Sequence, residues 1–502
     1  MDIKKVYAGS LFDRLMRYAA SDYYPFHMPG HKRQGSDMFS IDITEIDGFD
    51  DLHHAEGILK DSMEQAAGIY GSDESCYLIN GSSGGILSAV SGCVTRNGKI
   101  LIGRNCHRSV YNGIFLNGLE TVYLYPQIME GLGIQGGISA EDVEKALRAH
   151  PDTQAVMIVS PTYEGIVSDV GKIAQAAHDH GIPLIVDEAH GAHFSFAEEG
   201  SFPRSALVQG ADVVIQSLHK TLPCFTQTGI IHMKKGYLGQ ERMERIKAYL
   251  SIYQSSSPSY LFLASIEGCI LYMEQEGKEK LEELARMLEV FRERCKDLKS
   301  IYVPGREWVG KAGIYDMDPS KIVMSTGYGK RNGIWLDDHL RRSYHLELEM
   351  KEAGYALALT SLWDRKEGLE RLFQGLRGAD RLILEEMEKG HAKTGSGMER
   401  KGSWKERMIR QEIFQERIMP RSVCKIQEAK EKEWEECRID DCAGRAAADF
   451  IYLYPPGIPC LTPGEIVSEK LIEKIKLYDD IGASVHGLKK EGDAKKIRVI
   501  KG

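Results

Sequence analysis

The stretch Ser217-Leu218-His219-Lys220 predicts the fold of this chain when it is read together with Asp187-Glu188-Ala189-His190. Each stretch lies at the end of a short apolar run, 211–217 for the first and 182–186 for the second, and such runs predict buried strands. In a parallel α/β sheet, residues just past the carboxyl ends of the strands line the ligand crevice. The sequence therefore predicts that Lys220 and Asp187 face one crevice.

An amine and a carboxylate at this place are the groups that pyridoxal 5'-phosphate (PLP) requires. This cofactor forms a Schiff base with a lysine, and a carboxylate keeps its pyridine nitrogen protonated. A single lysine is most often a surface charge, so the prediction depends on the pair, with Lys220 after one strand and Asp187 after another.

Two further strand ends offer the other contacts that PLP needs. Asn80-Gly81-Ser82-Ser83 comes after the apolar run 76–79 and opens a helix-compatible stretch, so its amides and the Ser82 and Ser83 hydroxyls predict a phosphate site. The strand-like run 99–103 leads to His107, whose imidazole is suited to stack on the pyridine ring. In chain order, four strand ends thus predict a phosphate cradle, a ring stack, a pyridine partner and a Schiff-base lysine.

The same residues resemble the motifs of the Orn/Lys/Arg decarboxylases, which are fold-type I PLP enzymes with an aspartate-aminotransferase-like fold. The resemblance covers nearly the whole chain, and the order of the motifs makes it specific. Its further motifs are Phe26-His27-Met28-Pro29-Gly30-His31-Lys32, Asp47-Gly48-Phe49-Asp50-Asp51-Leu52-His53, Ser256-Ser257-Pro258-Ser259-Tyr260, Tyr454-Pro455-Pro456-Gly457-Ile458-Pro459, Pro463-Gly464-Glu465 and Val485-His486-Gly487.

This resemblance implies an α/β fold, with a mainly parallel sheet in a large PLP-binding domain and a smaller α+β C-terminal part. It also implies a role for each matched residue. Lys220 would be the Schiff-base lysine, Asp187 the pyridine partner and His107 the stacking imidazole. The other cofactor contacts that it implies are His190, the phosphate ligands Ser82, Ser83, Ser217 and His219, and Ser256 or Ser257 across a dimer interface.

At 502 residues the chain exceeds what one hydrophobic core usually organises, so several domains are expected. We predict an N-terminal arm over 1–50, a PLP-binding large domain over 51–300 and a small α/β domain over 301–389. Residues 390–502 are expected to form a charged linker and then the C-terminal decarboxylase domain.

Composition limits the possible partners and compartments. The net charge of −9 argues against a nucleic acid or an anionic membrane as partner. The ten cysteines include no C-x-x-C pair, so neither a metal site nor a disulfide framework is indicated. No signal peptide and no membrane-spanning run are seen, which favours a cytoplasmic enzyme. The chain begins with the arm and lacks a wing domain, so a homodimer or a dimer of dimers is expected.

Other functions compete with the PLP enzyme for the same residues. Residues 81–85 fit the G-x-S-x-G elbow of α/β-hydrolases, with Ser83 as nucleophile and Asp187 and His219 as partners, but Lys220 and His107 then have no role. A non-enzymatic binding or regulatory protein on the same fold is a further alternative.

The stretch at 187–190 gives rise to two more alternatives. Asp187, His190 and His193 have a spacing that zinc can accept, yet zinc leaves the lysine and the serine turn unexplained. The letters DEAH also spell a helicase motif, but the sequence has no G-x-x-x-x-G-K-[ST] phosphate loop.

The reaction expected from the resemblance is decarboxylation of a basic amino acid. Arginine, giving agmatine, is favoured, while lysine and ornithine stay open. The candidates for binding the distal cation are Glu45, Asp50, Asp51 and Glu465. The main alternative is another fold-type I enzyme such as an aminotransferase, which grips the substrate carboxylate with arginine. Candidate arginines for that grip are Arg341, Arg342 and Arg365.

Overall fold

A computed structural model describes residues 8–327, 331–394, 416–454, 457–492 and 494–501. Parts of three features considered in the sequence therefore lie outside the described residues, namely the N-terminus, the charged linker over 395–415 and Pro455-Pro456. No helix in the described ranges combines the length and the apolar character needed to cross a bilayer.

The helices and strands of the described residues are numbered in chain order. The α-helices are α1 (Leu11–Ala19), α2 (Ile58–Tyr70), α3 (Gly81–Cys93), α4 (Arg108–Asn117), α5 (Ala140–Ala149), α6 (Val170–Asp179), α7 (Leu218–Thr221), α8 (Lys235–Tyr253), α9 (Tyr260–Tyr272), α10 (Lys278–Cys295), α11 (Gly333–Tyr344), α12 (Lys366–Thr394), α13 (Ile426–Glu431) and α14 (Glu469–Asp480). The strands are β1 (Glu74–Leu78), β2 (Lys99–Gly103), β3 (Glu120–Leu124), β4 (Ile128–Met129), β5 (Ile134–Gln135), β6 (Thr153–Val159), β7 (Ile166–Val167), β8 (Leu184–Asp187), β9 (Val213–Gln216), β10 (Gly229–Met233), β11 (Asp316–Met317), β12 (Lys321–Ser325), β13 (Met350–Lys351), β14 (Tyr355–Leu359), β15 (Trp434–Arg438), β16 (Ile451–Leu453), β17 (Pro459–Leu461), β18 (Val485–His486), β19 (Lys489–Glu491) and β20 (Ala494–Ile500).

The chain divides into two compact units. The first is formed by residues 1–101, 143–161 and 170–282, and the second by 102–142, 162–169 and 283–502. The finer division into four parts made from the sequence stays a prediction.

The first unit contains a mainly parallel sheet. Within this unit the strand order is β1-β10-β9-β8-β6-β2. The first segment of the unit ends at Leu101, inside β2. Strands β6, β8 and β9 are parallel, with Val159 opposite Asp187 and Asp187 opposite Ile215. Strand β10 is antiparallel to both of its neighbours. Because β1, β8 and β9 therefore run in one direction, the residues just after them meet at one edge of the sheet.

The turn from β1 into α3 depends on glycine at two positions. Gly81 has a φ of +66°, and its N–H donates to the carbonyl of Gln227 at 2.8 Å. A Cβ at Gly85 would lie 2.6 Å from Leu78 Cδ1 and 3.1 Å from Ile215 Cγ2. Glycine therefore lets α3 begin immediately after the strand and pack closely on the sheet, which brings its first turn to the sheet edge.

The second unit holds a three-stranded antiparallel sheet of order β12-β14-β13, and its C-terminal part holds two more such sheets, β15-β20-β19 and β17-β16-β18. One apolar cluster under the C-terminal sheets includes Ile439, Leu461, Leu471 and Val499. These features agree with the α/β architecture, with added C-terminal structure, that the sequence predicted.

Helix α1 lies within the predicted N-terminal arm. Helix α10 buries an apolar stripe that includes Leu284, Leu288 and Phe291. The antiparallel direction of β10 was not predicted, because an apolar run indicates a strand but not which way it runs in the sheet.

Candidate active site

Lys220 lies in the one-turn helix α7, directly after β9. Its Nζ is 2.9 Å from Nε2 of His190. A lysine ammonium carries only hydrogen-bond donors, so His190 accepts through Nε2. The structure therefore brings together the lysine of one decisive stretch and the histidine of the other.

Asp187 is the last residue of β8, and only 3% of its surface is exposed. Its Oδ1 accepts a hydrogen bond from the N–H of Ala189 at 3.1 Å. Burial raises the pKa of the Asp187 carboxyl above its ordinary value, whereas the charge of Lys220 and the Ala189 N–H act to lower it. In these dry surroundings an ionised Asp187 gains strongly from a cationic partner, as a pyridine-nitrogen partner must.

Two of the predicted phosphate ligands lie within hydrogen-bond distance of each other. Ser217 Oγ donates to Ser82 Oγ at 2.8 Å, so the end of β9 meets the first turn of α3. A Cβ at Gly229 would lie 2.7 Å from the Gln216 carbonyl oxygen and 3.4 Å from the Ser82 nitrogen. Ser83 comes next to Ser82 in the same first turn, where backbone amides point outward without a helical partner. Hydroxyls and free amides at a helix N-terminus suit a phosphate group.

His219 is two residues beyond Ser217, but its ring is oriented by the neighbouring loop. Its Nδ1 is 2.7 Å from the carbonyl oxygen of Thr228, so Nδ1 carries the proton and donates. Burial, together with the charge of Lys220, lowers the pKa of His219. Nε2 therefore accepts in the neutral ring, and it donates to a phosphate only if the bound dianion draws a second proton onto the ring.

His107 belongs to the second unit, where it caps helix α4. Its Nδ1 accepts from the Ser109 N–H at 3.2 Å and lies 2.8 Å from Ser109 Oγ. A Cβ at Gly457 would lie 3.6 Å from His107 Nε2, so this glycine of the C-terminal motif lies beside the imidazole ring. The cap fixes the imidazole directly after β2.

Ser256 and Ser257 lie in the turn between α8 and α9. Both residues are exposed, whereas Pro258 after them is buried. The turn is tied down by His53, whose Nε2 lies 2.8 Å from the Ser255 carbonyl oxygen. These serines therefore present their hydroxyls outward, unlike Ser82 and Ser217, which bond to each other.

The residues of the first unit fit PLP by their chemistry. A lysine amine, a buried carboxylate and a hydroxyl-rich helix N-terminus occur together at the carboxyl ends of β1, β8 and β9. Residues 9–329 match the family described as Orn/Lys/Arg decarboxylase, major domain, and residues 405–497 match the C-terminal domain of the same family.

The chain belongs to the Orn/Lys/Arg decarboxylase family. It is therefore a PLP-dependent decarboxylase, as the resemblance implied. An arginine decarboxylase of Bacillus anthracis is 32% identical over 506 residues, which cover 99% of this chain and 98% of the relative. An arginine decarboxylase of Bacillus subtilis is 31% identical over 502 residues, covering 98% and 97%.

A solved relative supports the fold. The lysine decarboxylase LdcF of Francisella novicida superposes with a TM-score of 0.80 at 20% identity, over 98% of this chain and 81% of that one. The fold-type I architecture predicted for this decarboxylase is thus confirmed over nearly its whole length.

The alternatives built on the same residues are not supported by the geometry. His193 packs edge-on against Phe194 and Phe202, with ring centroids 4.7 and 5.2 Å away, while His190 meets Lys220. The two histidines thus have different surroundings and do not form a triad with Asp187. The family match likewise selects a decarboxylase over a hydrolase that uses Ser83.

Three of the residues proposed to bind the distal cation already form hydrogen bonds within the chain. Asp50 accepts hydrogen bonds from a series of backbone N–H groups, among them those of Gly57 at 2.8 Å and Leu59 at 3.0 Å. Glu465 is fully buried, and its Oε2 lies 3.0 Å from Arg104 Nη2 and accepts from the Thr462 N–H at 2.7 Å. Both carboxylates therefore organise their own loops, as does Asp51, whose Oδ1 accepts from the His53 N–H at 2.8 Å. Which acidic residue binds the distal cation stays a prediction.

Two of the candidate arginines are also paired. Arg341 and Arg342 contact Asp338 of their own helix at 3.3 and 2.9 Å, and their side chains are 47% and 74% exposed. Ion pairs at such exposed positions are typical of a solvated helix surface. They give no support to an aminotransferase-type grip on the substrate carboxylate.

The sequence did not single out the buried polar side chains that hydrogen-bond next to the predicted site residues. Gln254, at the end of α8, accepts from the Ile79 N–H at 2.8 Å and so supports the start of the phosphate turn. Glu188 and Gln216 bond to each other at 2.8 Å beside Asp187 and Ser217. Their places next to the predicted site residues were the available signal, but polarity alone does not reveal a buried partner.

Proposed function

We propose that this decarboxylase acts on arginine and releases CO₂ and agmatine. The observation that carries the substrate is the near full-length identity of 31–32% to relatives named arginine decarboxylase. Lysine and ornithine are the competing substrates, because members of the family take each of the three.

We infer that PLP is held by the residues at the sheet edge. Lys220 would bind its aldehyde carbon, and Asp187 would keep its pyridine nitrogen protonated. Ser82, Ser83, Ser217 and His219 would hold its phosphate, while His190 and His107 would contact the ring. When bound, PLP supplies an electron sink for the electron pair left as a bond to the substrate α-carbon breaks.

The residues around the cofactor determine which reaction it carries out. The positive charge of Lys220 and the buried Asp187 carboxylate balance each other at the same edge of the sheet, so the site is preorganised for a charged ring. After CO₂ leaves, a proton must reach the substrate α-carbon. The Lys220 amine is the proton donor placed for this step, with His190 as its hydrogen-bond partner at 2.9 Å.

The substrate assay tests the reaction itself. With added PLP and arginine in deuterated water, we expect CO₂ and agmatine carrying one deuterium at the former α-carbon, measured by mass spectrometry. Parallel reactions with lysine and ornithine rank the three substrates, and enzyme stripped of PLP is the control. Keto-acid formation with accumulation of pyridoxamine phosphate and no amine would instead identify an aminotransferase.

We further propose a homodimer with an active site completed by the partner subunit. The support is the exposed turn at Ser256 and Ser257, which presents hydroxyls outward, whereas Ser82 and Ser217 bond to each other within the chain.

We also propose a cytoplasmic location. The ten cysteines are all free thiols, which supports a reducing compartment.

Mixing two inactive variants tests the shared site. Chains with Lys220→Ala should be inactive, and chains with both Ser256→Ala and Ser257→Ala should bind PLP weakly. Heterodimers of the two should regain up to about a quarter to a half of the wild-type rate, because one site per dimer is then intact. Sedimentation and subunit exchange of tagged chains verify mixing, and mixed dimers without activity would place the whole site in one chain.

A further inference from the structure

A line of buried polar side chains crosses the sheet of the first unit, on residues that none of the cofactor roles uses. It runs from Glu188 after β8 through Gln216 at the end of β9 and His232 in β10 to Ser75 in β1. Their exposed fractions are 1%, 0%, 0% and 5%. Burying four polar side chains is unfavourable unless they bond to one another, and a fully bonded network fixes a single arrangement.

The bonds are continuous. Gln216 Nε2 lies 2.8 Å from Glu188 Oε2, and His232 Nε2 lies 3.4 Å from Gln216 Oε1. Ser75 Oγ lies 2.7 Å from His232 Nδ1, and Ser72 Oγ lies 2.8 Å from Ser75 Oγ. Ser75 and His232 are also opposite each other in the β1–β10 ladder.

The Glu188 carboxylate sets the direction of every bond in this line. A carboxylate only accepts, so the NH₂ group of Gln216 faces Glu188 and its carbonyl faces His232. His232 must then carry its proton on Nε2 and accept from the Ser75 hydroxyl through Nδ1. Burial lowers the pKa of His232 to about 3, so the ring is neutral, as this pattern requires.

Glu188 is bound from two other sides by donors. It accepts from the Ala206 N–H at 2.7 Å and from Ser205 Oγ at 3.1 Å. Three donors around one carboxylate favour its ionised form, while burial opposes this and raises the pKa of Glu188 to about 7. Position 188 therefore needs a side chain that accepts hydrogen bonds through two oxygens. Glutamine has the same shape, but only one of its two terminal atoms is an acceptor.

We propose that Glu188 and Gln216 are positioning residues for the cofactor, fixing Ser217 and the Lys220 turn relative to Asp187. Glu188 is the residue directly after Asp187, and Gln216 directly precedes Ser217, whose hydroxyl bonds to Ser82. Glu188 continues the pairing beyond β8, because its N–H donates to the Ile215 carbonyl at 2.9 Å. Consecutive residues of extended chain face opposite sides, so the bond between Glu188 and Gln216 ties the two strand ends together from the side away from Asp187. This inference rests on the proposed function, because it assigns the two residues to the same cofactor site.

An exchange of the two side chains tests the proposal. Glu188→Gln places an amide where three donors converge, and Gln216→Glu places two carboxylates against each other. The double variant Glu188→Gln/Gln216→Glu restores an acceptor toward His232 and a donor–acceptor pair between positions 188 and 216. The apo proteins are titrated with PLP by absorbance, their melting temperatures are measured, and kcat and KM are determined for the loaded enzymes.

We expect Glu188→Gln to weaken PLP binding and to lower kcat by about 10-fold or more, because hydrogen bonds to a buried charged group are lost. KM should change less than kcat, since the proposed role of both residues is to position the cofactor. The double variant should recover most of the PLP affinity lost in Glu188→Gln.

Ser205→Ala is the matched control. It removes one hydrogen bond from the same carboxylate but leaves the bond to Gln216, so melting temperature should fall while the PLP dissociation constant stays within about twofold. If Glu188→Gln lowers melting temperature yet binds PLP as wild type does, or the exchange recovers no affinity, the positioning role is wrong. Wild-type protein that binds no PLP would instead overturn the proposed function, so the two failures are distinguishable.

Discussion

Replacing Lys220 by alanine is expected to remove decarboxylase activity, with kcat falling by about 10²- to 10⁴-fold or more. The reason is that in the proposed site one side chain would serve both as the covalent anchor and as the proton donor, and general acid–base catalysis alone contributes factors of this size. Activity is measured as CO₂ release from arginine with saturating PLP. The variant should still bind PLP through the phosphate site, but without the visible absorbance band that a lysine-bound cofactor gives.

A surface lysine of the same unit serves as the control. The Lys278 side chain is 65% exposed and forms an ion pair with Glu198 at 3.3 Å, so Lys278→Ala should keep wild-type activity. Borohydride reduction of the wild-type holoenzyme, with peptide mapping afterwards, should place the cofactor on Lys220. A reduced adduct on another lysine, or a Lys220→Ala enzyme of nearly full activity, would refute the assignment.

Much of the candidate site was predictable because the residues that follow parallel strands lie together at one edge of the sheet. Once 76–79, 182–186 and 211–217 are taken as strands of one parallel sheet, the residues after them must lie at the same edge. The hydrogen bond between Ser217 and Ser82, and the contact of Lys220 with His190, are the outcome. No side-chain detail was needed for that step, only the apolar runs and the polar residues at their ends.

The remainder depended on pairings between residues far apart in the sequence. The direction of β10 is set by its ladders to β1 and β9, which no local pattern records. Asp50 and Glu465 seemed available for a substrate cation because an acidic residue in a loop is normally solvated. Each instead accepts hydrogen bonds from its own chain, for Glu465 from an arginine 361 positions away.

The proposed role of Glu188 illustrates the same limit. In the sequence it is one letter of a motif next to the predicted pyridine partner, with no sign of a buried amide opposite. Only the fold reveals that its partners come from residues 18 and 28 positions away. A sequence thus predicts which residues reach the cofactor edge more readily than those that hold them there.

Replacing Asp187 by asparagine is expected to separate catalysis from stability. Asparagine keeps an acceptor for the Ala189 N–H but cannot keep a pyridine nitrogen protonated. The loss of a buried, charge-assisted hydrogen bond of about 1.5–3 kcal/mol predicts a rate at least roughly 10- to 100-fold lower. PLP should still bind through the phosphate site and Lys220, so kcat should fall more than PLP affinity does.

The stability of the apoprotein should change in the opposite direction. Burial raises the pKa of Asp187 in the folded state, so the folded chain binds a proton more tightly than the unfolded chain does. That contribution favours the folded state at low pH and is lost as the pH rises above the carboxyl's ordinary value of 3.8 toward the raised one. Because asparagine never ionises, apo Asp187→Asn should melt above the wild-type apoprotein at neutral pH, by a margin that shrinks in acid.

Melting curves of apo and PLP-loaded protein across pH, together with kcat, test both halves of this prediction. Asp297→Asn is the control, because Asp297 is exposed and its removal should change neither quantity. The buried Asp187 carboxylate is expected to lower the stability of the apoprotein. A site for a cationic ring requires such a carboxylate, because the ring becomes its partner when PLP binds. An Asp187→Asn enzyme within twofold of the wild-type rate would remove Asp187 from the catalytic site, whatever its effect on melting.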